Sequence, residues 1–174
     1  MTKDSQPRSL ESTLYDLALA YSLAADASRT IGASIGNANL TAPAIMCQNF
    51  AIELLLKFFL AIDHFTAATI DELTNAGVKL NCHKYSQLFD QLQPATKEKI
   101  ANSFTALSGK KTNVEGFREA LVAQGDEPFV QWQYIYETNN FSHFDLQAFQ
   151  LVAYSLGEAA KAELKASSDR RKPS

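Results

Sequence analysis

The chain has 174 residues, of which 46% are hydrophobic and 20% are charged, and its formal net charge is −3 at pH 7. This length fits one domain, and the composition is typical of a globular protein with a core of its own. The mild negative charge excludes a general electrostatic attraction to nucleic acid or anionic lipid, so either would require a local basic patch.

Residues 1–8 are polar, and we expect a flexible N-terminus. They contain no apolar stretch of the kind that a signal peptide needs. The chain has two cysteines, Cys47 and Cys82, far apart in the sequence. This usage is typical of free thiols in a reducing compartment, which predicts a cytoplasmic protein.

Two helices are predicted in the first third of the chain. Over residues 9–28 the apolar side chains recur at helical spacing. Residues 30–42 contain Gly32 and Gly36 and are predicted to form a loop. A threonine and a proline then mark the start of a second helix, which spans residues 41–64.

Shorter helices are predicted next. Thr69 and Glu72 have the spacing of a capping box, in which each side chain accepts a hydrogen bond from the other's backbone amide. Residues 83–92 and residues 94–109 are two further helical stretches, the second opened by a proline.

The capping-box spacing occurs again at Thr112 and Glu115, which predicts a helix that ends before Gly125. The aromatic-rich residues that follow are helical or irregular. The last helix is predicted to start at residues 142–145 and to run for about 20 residues. Its apolar face consists of Leu146, Phe149, Val152, Leu156 and Ala160.

Helical periods recur along the chain and no alternating strand pattern appears, so the predicted fold class is all-α. We expect one domain over residues 9–166, an irregular helical bundle with two long central helices and several short ones. Residues 167–174 are polar and basic and are predicted to be a disordered tail.

The second helix is apolar on almost every side, which predicts that it lies at the centre of the bundle. On a wheel at about 100° per residue, Asn49, Glu53, Lys57 and His64 share one stripe about 80° wide. This stripe is expected to face a cleft, a partner helix or a subunit interface. The most apolar stretch, residues 50–62, is too short to span a bilayer, and no membrane association is expected.

Glu53 and Lys57 are four residues apart in the favourable order. One interpretation is an exposed helical ion pair that stabilises the helix by about 0.3–0.5 kcal/mol. The other is a partly buried pair that organises a site. The sequence leaves both interpretations open.

Sequence motifs for nucleotide binding, serine hydrolases and zinc sites do not occur, so no cofactor and no metal are expected. Cys82 and His83 are adjacent, but a metal needs more ligands than these two. The aromatic residues between 129 and 149 could stack on bases or form core, and core is the commoner role. The basic residues 170–172 could contact phosphate or belong to a solvated tail.

Three segments, in this order, resemble the HEPN domain family. Residues 50–57, Phe-Ala-Ile-Glu-Leu-Leu-Leu-Lys, are similar to its apolar helix with Glu and Lys four apart. Residues 83–89, His-Lys-Tyr-Ser-Gln-Leu-Phe, are similar to its His-x-x-x-x-Leu-Phe helix start. Residues 132–137, Trp-Gln-Tyr-Ile-Tyr-Glu, are similar to an aromatic Arg-Tyr-x-Tyr-Glu segment of one branch. Together they span about residues 45–160.

The resemblance implies an up-and-down helical bundle that often forms a homodimer. Many family members are ribonucleases of defence or toxin–antitoxin systems, and others are noncatalytic modules, with a nucleotidyltransferase as a common companion. The nucleases use an Arg followed four to six residues later by a His. No arginine of this chain has a His at that spacing, and Gln133 stands where the branch often has Arg. The chain therefore lacks the fixed guanidinium and the proton shuttle of the nucleases.

The positions that match the family, with Asn49, form a candidate polar cleft or ligand-binding site. In this site Lys57 could contact a phosphate, oriented by Glu53 or Glu137, and the tyrosines could stack on a base. The same residues could instead form a buried polar network that fixes the register of the helices. The candidate site residues are Asn49, Glu53, Lys57, His83, Tyr134, Tyr136 and Glu137.

Three functions follow as hypotheses. The first is a noncatalytic HEPN-like binding or interaction module, a homodimer with a protein partner such as a nucleotidyltransferase, or with RNA. The second is a metal-independent ribonuclease with a divergent site, in which His83 or His143 is the base and Lys57 binds phosphate. The third is a nucleotide or small-ligand binding protein that uses the cleft beside the polar stripe.

Overall fold

The structure, a computed structural model, describes residues 9–64, 69–123, 125–127 and 145–170, with side chains up to Ser167. Over these residues the chain forms seven α-helices and no strand, which confirms the all-α prediction. The helices are α1 (Leu10–Ile35), α2 (Thr41–Asp63), α3 (Ile70–Asn75), α4 (Tyr85–Asp90), α5 (Pro94–Ser108), α6 (Val114–Val122) and α7 (Leu146–Arg170), and a 3₁₀-helix (Ala38–Leu40) precedes α2.

Helices α1 and α2 form an antiparallel hairpin. The ring of Tyr15 packs on Phe58 with a centroid distance of 5.9 Å, and Tyr21 stacks on Phe50 at 5.1 Å. Later residues of α1 therefore contact earlier residues of α2. Such hairpins are the repeating unit of an up-and-down bundle.

Helix α7 packs antiparallel to α5 in the same way. The Ser103 hydroxyl donates to the Ser155 carbonyl at 2.9 Å. Lys99, one turn earlier on α5, forms an ion pair with Glu163, about two turns later on α7. The buried face of α7 contains four of the residues predicted for it: Phe149, Val152, Leu156 and Ala160.

Helix α2 lies at the centre, as its apolar circumference predicts. It packs against α1, α4 and α7. Together with the preceding 3₁₀-helix it forms a segment, Ala38–Asp63, that is long and apolar enough to cross a membrane, longer than the stretch considered from sequence. Two thirds of its most apolar window (67%) is buried inside the fold, as expected for a core helix. Its fully buried large side chains are Ile45, Ile52, Leu56, Phe58, Phe59 and Leu60.

The predicted loop over residues 30–42 is wrong for most of its length, because α1 continues to Ile35 and α2 begins at Thr41. Gly32 does not break the helix. A Cβ on Gly32 would lie 3.1 Å from the Asn37 carbonyl oxygen and 3.1 Å from the Leu40 Cβ, so glycine permits the chain to fold back closely. The helix ends at Gly36, which has φ 65°.

The two predicted capping boxes have different outcomes. At the start of α3, Thr69 Oγ1 accepts from the Glu72 amide and Glu72 Oε2 accepts from the Thr69 amide, each at 3.2 Å, which confirms the first. The second is wrong, because the residue that caps α6 is Asn113, whose Oδ1 accepts from the Gly116 amide at 2.8 Å. The Thr112 hydroxyl instead donates to the Lys110 carbonyl. Asparagine is a preferred N-cap residue, and here it satisfies the Gly116 amide, one position after the amide that the predicted box would have satisfied.

Three long helices, rather than two, form the bundle, since α1 has 26 residues, α2 has 23 and α7 has 25. Helix α7 begins after Asp145, whose carboxylate accepts from the Ala148 amide at 2.9 Å. It continues through residue 170, so the predicted tail does not begin at residue 167. Helix α4 begins at Tyr85, two residues later than predicted.

Candidate functional site

The polar stripe of α2 faces the segment that leads into α4. Within this stripe Asn49 and Glu53 are buried, although both are polar. A charged residue is rarely buried unless it is paired, so the surroundings of Glu53 show what the stripe does. Of the candidate residues, Asn49, Glu53, Lys57 and His83 come together here. Tyr134, Tyr136 and Glu137 lie outside the described residues, so their part in the site stays a prediction.

Glu53, Lys57 and His83 form one cluster, called the Glu53 cluster below. Lys57 Nζ lies 2.7 Å from Glu53 Oε1, and the side chains are 15% and 10% exposed. His83 Nδ1 lies 3.1 Å from both carboxylate oxygens. The ion pair is therefore partly buried, and the interpretation as an exposed pair is wrong.

The contact with Glu53 determines which nitrogen of the His83 ring faces the carboxylate. A carboxylate only accepts hydrogen bonds, so Nδ1 carries the proton and a neutral ring has its lone pair on Nε2. The His83 side chain is 61% exposed, so much of the ring is accessible to solvent. The opposite charges of Glu53 and Lys57 balance each other within the cluster.

Tyr85 forms the second link between α2 and α4. Its hydroxyl donates to the Asn49 carbonyl oxygen at 3.0 Å and lies 3.3 Å from Asn49 Oδ1. Burial raises the pKa of the Tyr85 phenol well above its usual value, and the nearby Glu53 carboxylate raises it further. Sequence analysis placed Tyr85 within a helical stretch and missed this bond. A buried tyrosine usually has a partner for its hydroxyl, which was the signal.

Asn49 retains one unused donor. Among the described residues, no hydrogen-bond acceptor meets its Nδ2 atom, although the side chain is buried. An unsatisfied buried donor costs about 1–3 kcal/mol.

Asp126, which follows α6, holds the start of α4 in place. Its backbone carbonyl accepts from the Tyr85 amide at 3.0 Å. Its carboxylate accepts from the Ser86 amide at 2.7 Å and from the Ser86 hydroxyl at 2.6 Å. Since the residue before α4, Lys84, provides no side-chain cap, this distant carboxylate does so. Sequence reasoning could not find it, because the contact joins residues 40 positions apart.

No metal site forms around Cys82 within the described part of the chain, where no three His, Cys, Asp or Glu side chains converge. The Cys82 sulfur accepts from the Lys84 amide at 3.3 Å and lies 3.0 Å from Gln87 Oε1. The Cys82 thiol therefore takes part in hydrogen bonds within the turn before α4.

A second polar network joins α1 to α7 and was not predicted. Arg29 pairs with Asp26 on α1 and also donates to the Tyr154 hydroxyl at 3.2 Å. That hydroxyl donates to Asp26 Oδ1 at 3.0 Å. Burial and then this hydrogen bond raise the pKa of Tyr154. The three-residue spacing of Asp26 and Arg29 was the only local signal.

The Glu53 cluster thus positions the entry to α4 on the central helix and leaves one imidazole face open. It can hold the helix register, and it can fix the orientation of the His83 ring. When the chain is compared with protein-family models, with curated proteins and with solved structures, no match is found.

Proposed function

We propose that the chain is a noncatalytic, HEPN-like binding and interaction module that acts as a homodimer. The observation that carries this proposal is the charge balance of the Glu53 cluster. Both nitrogen groups that a ribonuclease would need, the Lys57 ammonium and the His83 imidazole, contact the same carboxylate. The ammonium charge is neutralised before any substrate arrives.

Among the described residues, those around the cluster do not restore a positive charge. The nearby Lys84 ammonium lies 3.7 Å from the Glu127 carboxylate, and Asp126 adds a further negative charge on the same side. Binding of RNA phosphates depends on uncompensated Lys and Arg side chains. These charges favour a protein partner over RNA at this surface.

The connection made by the cluster supports a structural role for its residues. Glu53 reaches His83 and Asn49 reaches Tyr85, so the polar stripe fixes the α4 segment along α2. Buried polar networks of this kind specify one packing among several. A companion nucleotidyltransferase, a cytoplasmic setting and a role in a defence or toxin–antitoxin system belong to this proposal through the motif resemblance alone.

Two measurements test the proposal. Purified protein incubated with structured RNAs, with and without EDTA, is expected to leave them intact. Light scattering at micromolar concentration is expected to give a mass near 38 kDa, which is twice the chain mass of 19.2 kDa. A mass near 19 kDa would contradict the homodimer, and cleavage would contradict the noncatalytic assignment.

The contact between Glu53 and His83 favours one alternative, a metal-independent ribonuclease. A carboxylate on Nδ1 orients an imidazole so that Nε2 can take a proton, which is the arrangement of a general base. This alternative predicts cleavage without metal that His83→Ala abolishes. His64→Ala is the matched control, since His64 lies at the end of α2 outside the cluster. His143, the other candidate base, is tested with His143→Ala.

A surface pocket beside Lys57 favours another alternative, a small-ligand site. It has a volume of about 290 Å³ and is lined by apolar side chains together with Lys57, Thr74 and Asn81. This volume is at the lower limit for drug-sized ligands, about 300–1,000 Å³. A nucleotide that binds here would stabilise the fold by about 2.7 kcal/mol at a hundredfold excess over its dissociation constant. A panel of nucleotides without any thermal shift would exclude it.

A further inference from the structure

The outer face of α1 is apolar, although it is exposed to solvent. Four large side chains on this face, Leu17, Tyr21, Ile31 and Ile35, are between 37% and 63% exposed. At about 100° per residue they lie within one stripe about 80° wide, which extends for about 27 Å along the helix. Single exposed apolar residues are ordinary, but a continuous stripe of this length is typical of an interaction surface.

This face of α1 carries no charge. From Leu17 to Ile35, every residue of α1 with an exposed side chain is Ala, Leu, Ile, Tyr, Ser or Thr. The two charged residues in this range, Asp26 and Arg29, pair with each other and with Tyr154 of α7. An uncharged face has no group that selects a charged partner, whereas it can meet an identical face without bringing like charges together. Helices that bind membrane surfaces rely on several Lys and Arg residues, and Arg29 is the only basic residue of α1.

The sizes of the side chains along this stripe follow the same order from either end. They are large, large, small, small, large and large, at intervals of four, three, four, three and four residues. We call these six residues the α1 seam: Leu17, Tyr21, Ala24, Ser28, Ile31 and Ile35. Their spacing is that of the a and d positions of a coiled coil.

Two copies of the α1 seam would match each other in an antiparallel arrangement. Across a two-fold axis, residue i of one copy contacts residue j of the other, and j contacts i. With the axis midway along the seam, Leu17 would meet Ile35 of the second copy. By the same symmetry Tyr21 would meet Ile31, and the two small residues would meet at the centre. Small residues there let the helix axes approach to about 8–10 Å.

The area of the α1 seam is sufficient for a specific dimer. Its four large side chains and the small residues between and beside them present roughly 500–600 Å² per copy, so a dimer would bury about 1,000–1,200 Å² in total. Specific interfaces require about 1,000 Å² or more, and those near this limit are weak. The seam therefore favours a dimer that dissociates in the micromolar range.

We propose that a second copy of this chain covers the α1 seam, so that two α1 helices pack antiparallel about a two-fold axis. The seam itself indicates this occupant, because matched side chains at equal distances from a midpoint are what a two-fold pairing of identical helices requires. The proposal rests on the homodimer of the proposed function and adds its interface. The Glu53 cluster joins α2 to the segment before α4, so each copy would keep a cluster of its own outside the seam.

The dissociation constant of the dimer tests this interface, measured by sedimentation velocity on the full-length protein over a range of concentrations. Leu17→Glu would place two uncompensated carboxylates in the seam, and we expect it to raise the dissociation constant at least about tenfold, which corresponds to 1.4 kcal/mol. Leu19→Glu is the matched control. Leu19 and Leu17 are both 46% exposed, but Leu19 lies about 160° away around α1. This variant should leave the dissociation constant within about twofold of wild type, and circular dichroism checks that both variants fold.

A mixture of two variants tests the antiparallel pairing. Ile35→Lys alone should also weaken the dimer, because it places two ammonium groups in the seam. When Leu17→Glu and Ile35→Lys are mixed, the introduced glutamate would face the introduced lysine, and the other pair would keep its native side chains. We therefore expect the mixture to associate at least about tenfold more tightly than either variant alone.

The outcomes separate this proposal from the homodimer itself. A wild-type dimer that Leu17→Glu leaves unchanged would overturn the seam as the interface, while the homodimer would stand. A mixture that associates no better than the single variants would overturn the antiparallel pairing. A wild type that stays near its chain mass of 19.2 kDa at micromolar concentration would overturn both the interface and the homodimer.

Discussion

A double-mutant cycle on Glu53 and Lys57 measures what their burial contributes to stability. The two charged atoms are 2.7 Å apart. At an effective dielectric constant of about 20 their attraction is roughly 6 kcal/mol. Because the side chains are only 10% and 15% exposed, the loss of hydration offsets most of this attraction. We expect a net coupling of about 1–2 kcal/mol, against about 0.3–0.5 kcal/mol for an exposed pair.

Urea unfolding of wild type, Glu53→Ala, Lys57→Ala and the double variant provides the four free energies of the cycle. The matched control is the same cycle on Glu158 and Lys161, an exposed pair 3.8 Å apart on α7. A coupling for Glu53 and Lys57 no larger than that of the control would refute the reasoning. It would mean that the cluster is as hydrated as the surface.

Three further predictions concern pH and capping. The hydrogen bond and charge of Arg118 lower the pKa of Asp90. The Asp90 carboxylate therefore stabilises the fold above its unfolded pKa of about 3.9. This stabilisation is lost as the pH falls through the lowered pKa of the folded state. Asp90→Asn should therefore reduce the free energy of unfolding by up to about 1 kcal/mol at pH 7, and by less at pH 2–3 in urea titrations. The pKa of Tyr85 is raised in the folded protein, so the protonated phenol stabilises the fold below its unfolded pKa of about 10. This stabilisation is lost as the pH rises towards the pKa of the folded state. Wild type should therefore lose more stability than Tyr85→Phe above about pH 10. Asn113→Ala should lower the thermal stability by about 1 kcal/mol and Thr112→Ala by less, and the reverse order would contradict the cap at Asn113.

Periodicity predicted the buried faces well because burial requires a repeating apolar pattern within each helix. The faces of α2 and α7 were found in this way. The capping box of α3 was found from the three-residue spacing of Thr69 and Glu72. The positions of individual glycines were less informative at the turn after α1. Gly32 was taken as a breaker, whereas its role is to let the chain approach closely, and only Gly36 has the left-handed backbone that ends the helix.

The candidate site was predicted only in part, because some of its contacts join residues that are far apart in the sequence. The pair of Glu53 and Lys57 follows from helical spacing, and His83 was added by the motif resemblance. The links from Asn49 to Tyr85 and from Asp126 to Ser86 join residues 36 and 40 positions apart. No local pattern encodes such contacts, because they depend on how the helices pack. Burial of Glu53 was undecided for the same reason.

The rate of RNA cleavage tests the central claim, a noncatalytic module, most directly. End-labelled structured RNAs would be incubated with an excess of wild type or His83→Ala, with and without EDTA, and the products followed on a gel. The account predicts intact RNA in every lane, because the cations near Glu53 are already paired and the Arg–His motif of the nucleases is missing. Cleavage by wild type that persists in EDTA and disappears in His83→Ala would contradict it and identify the Glu53–His83 contact as part of an active site.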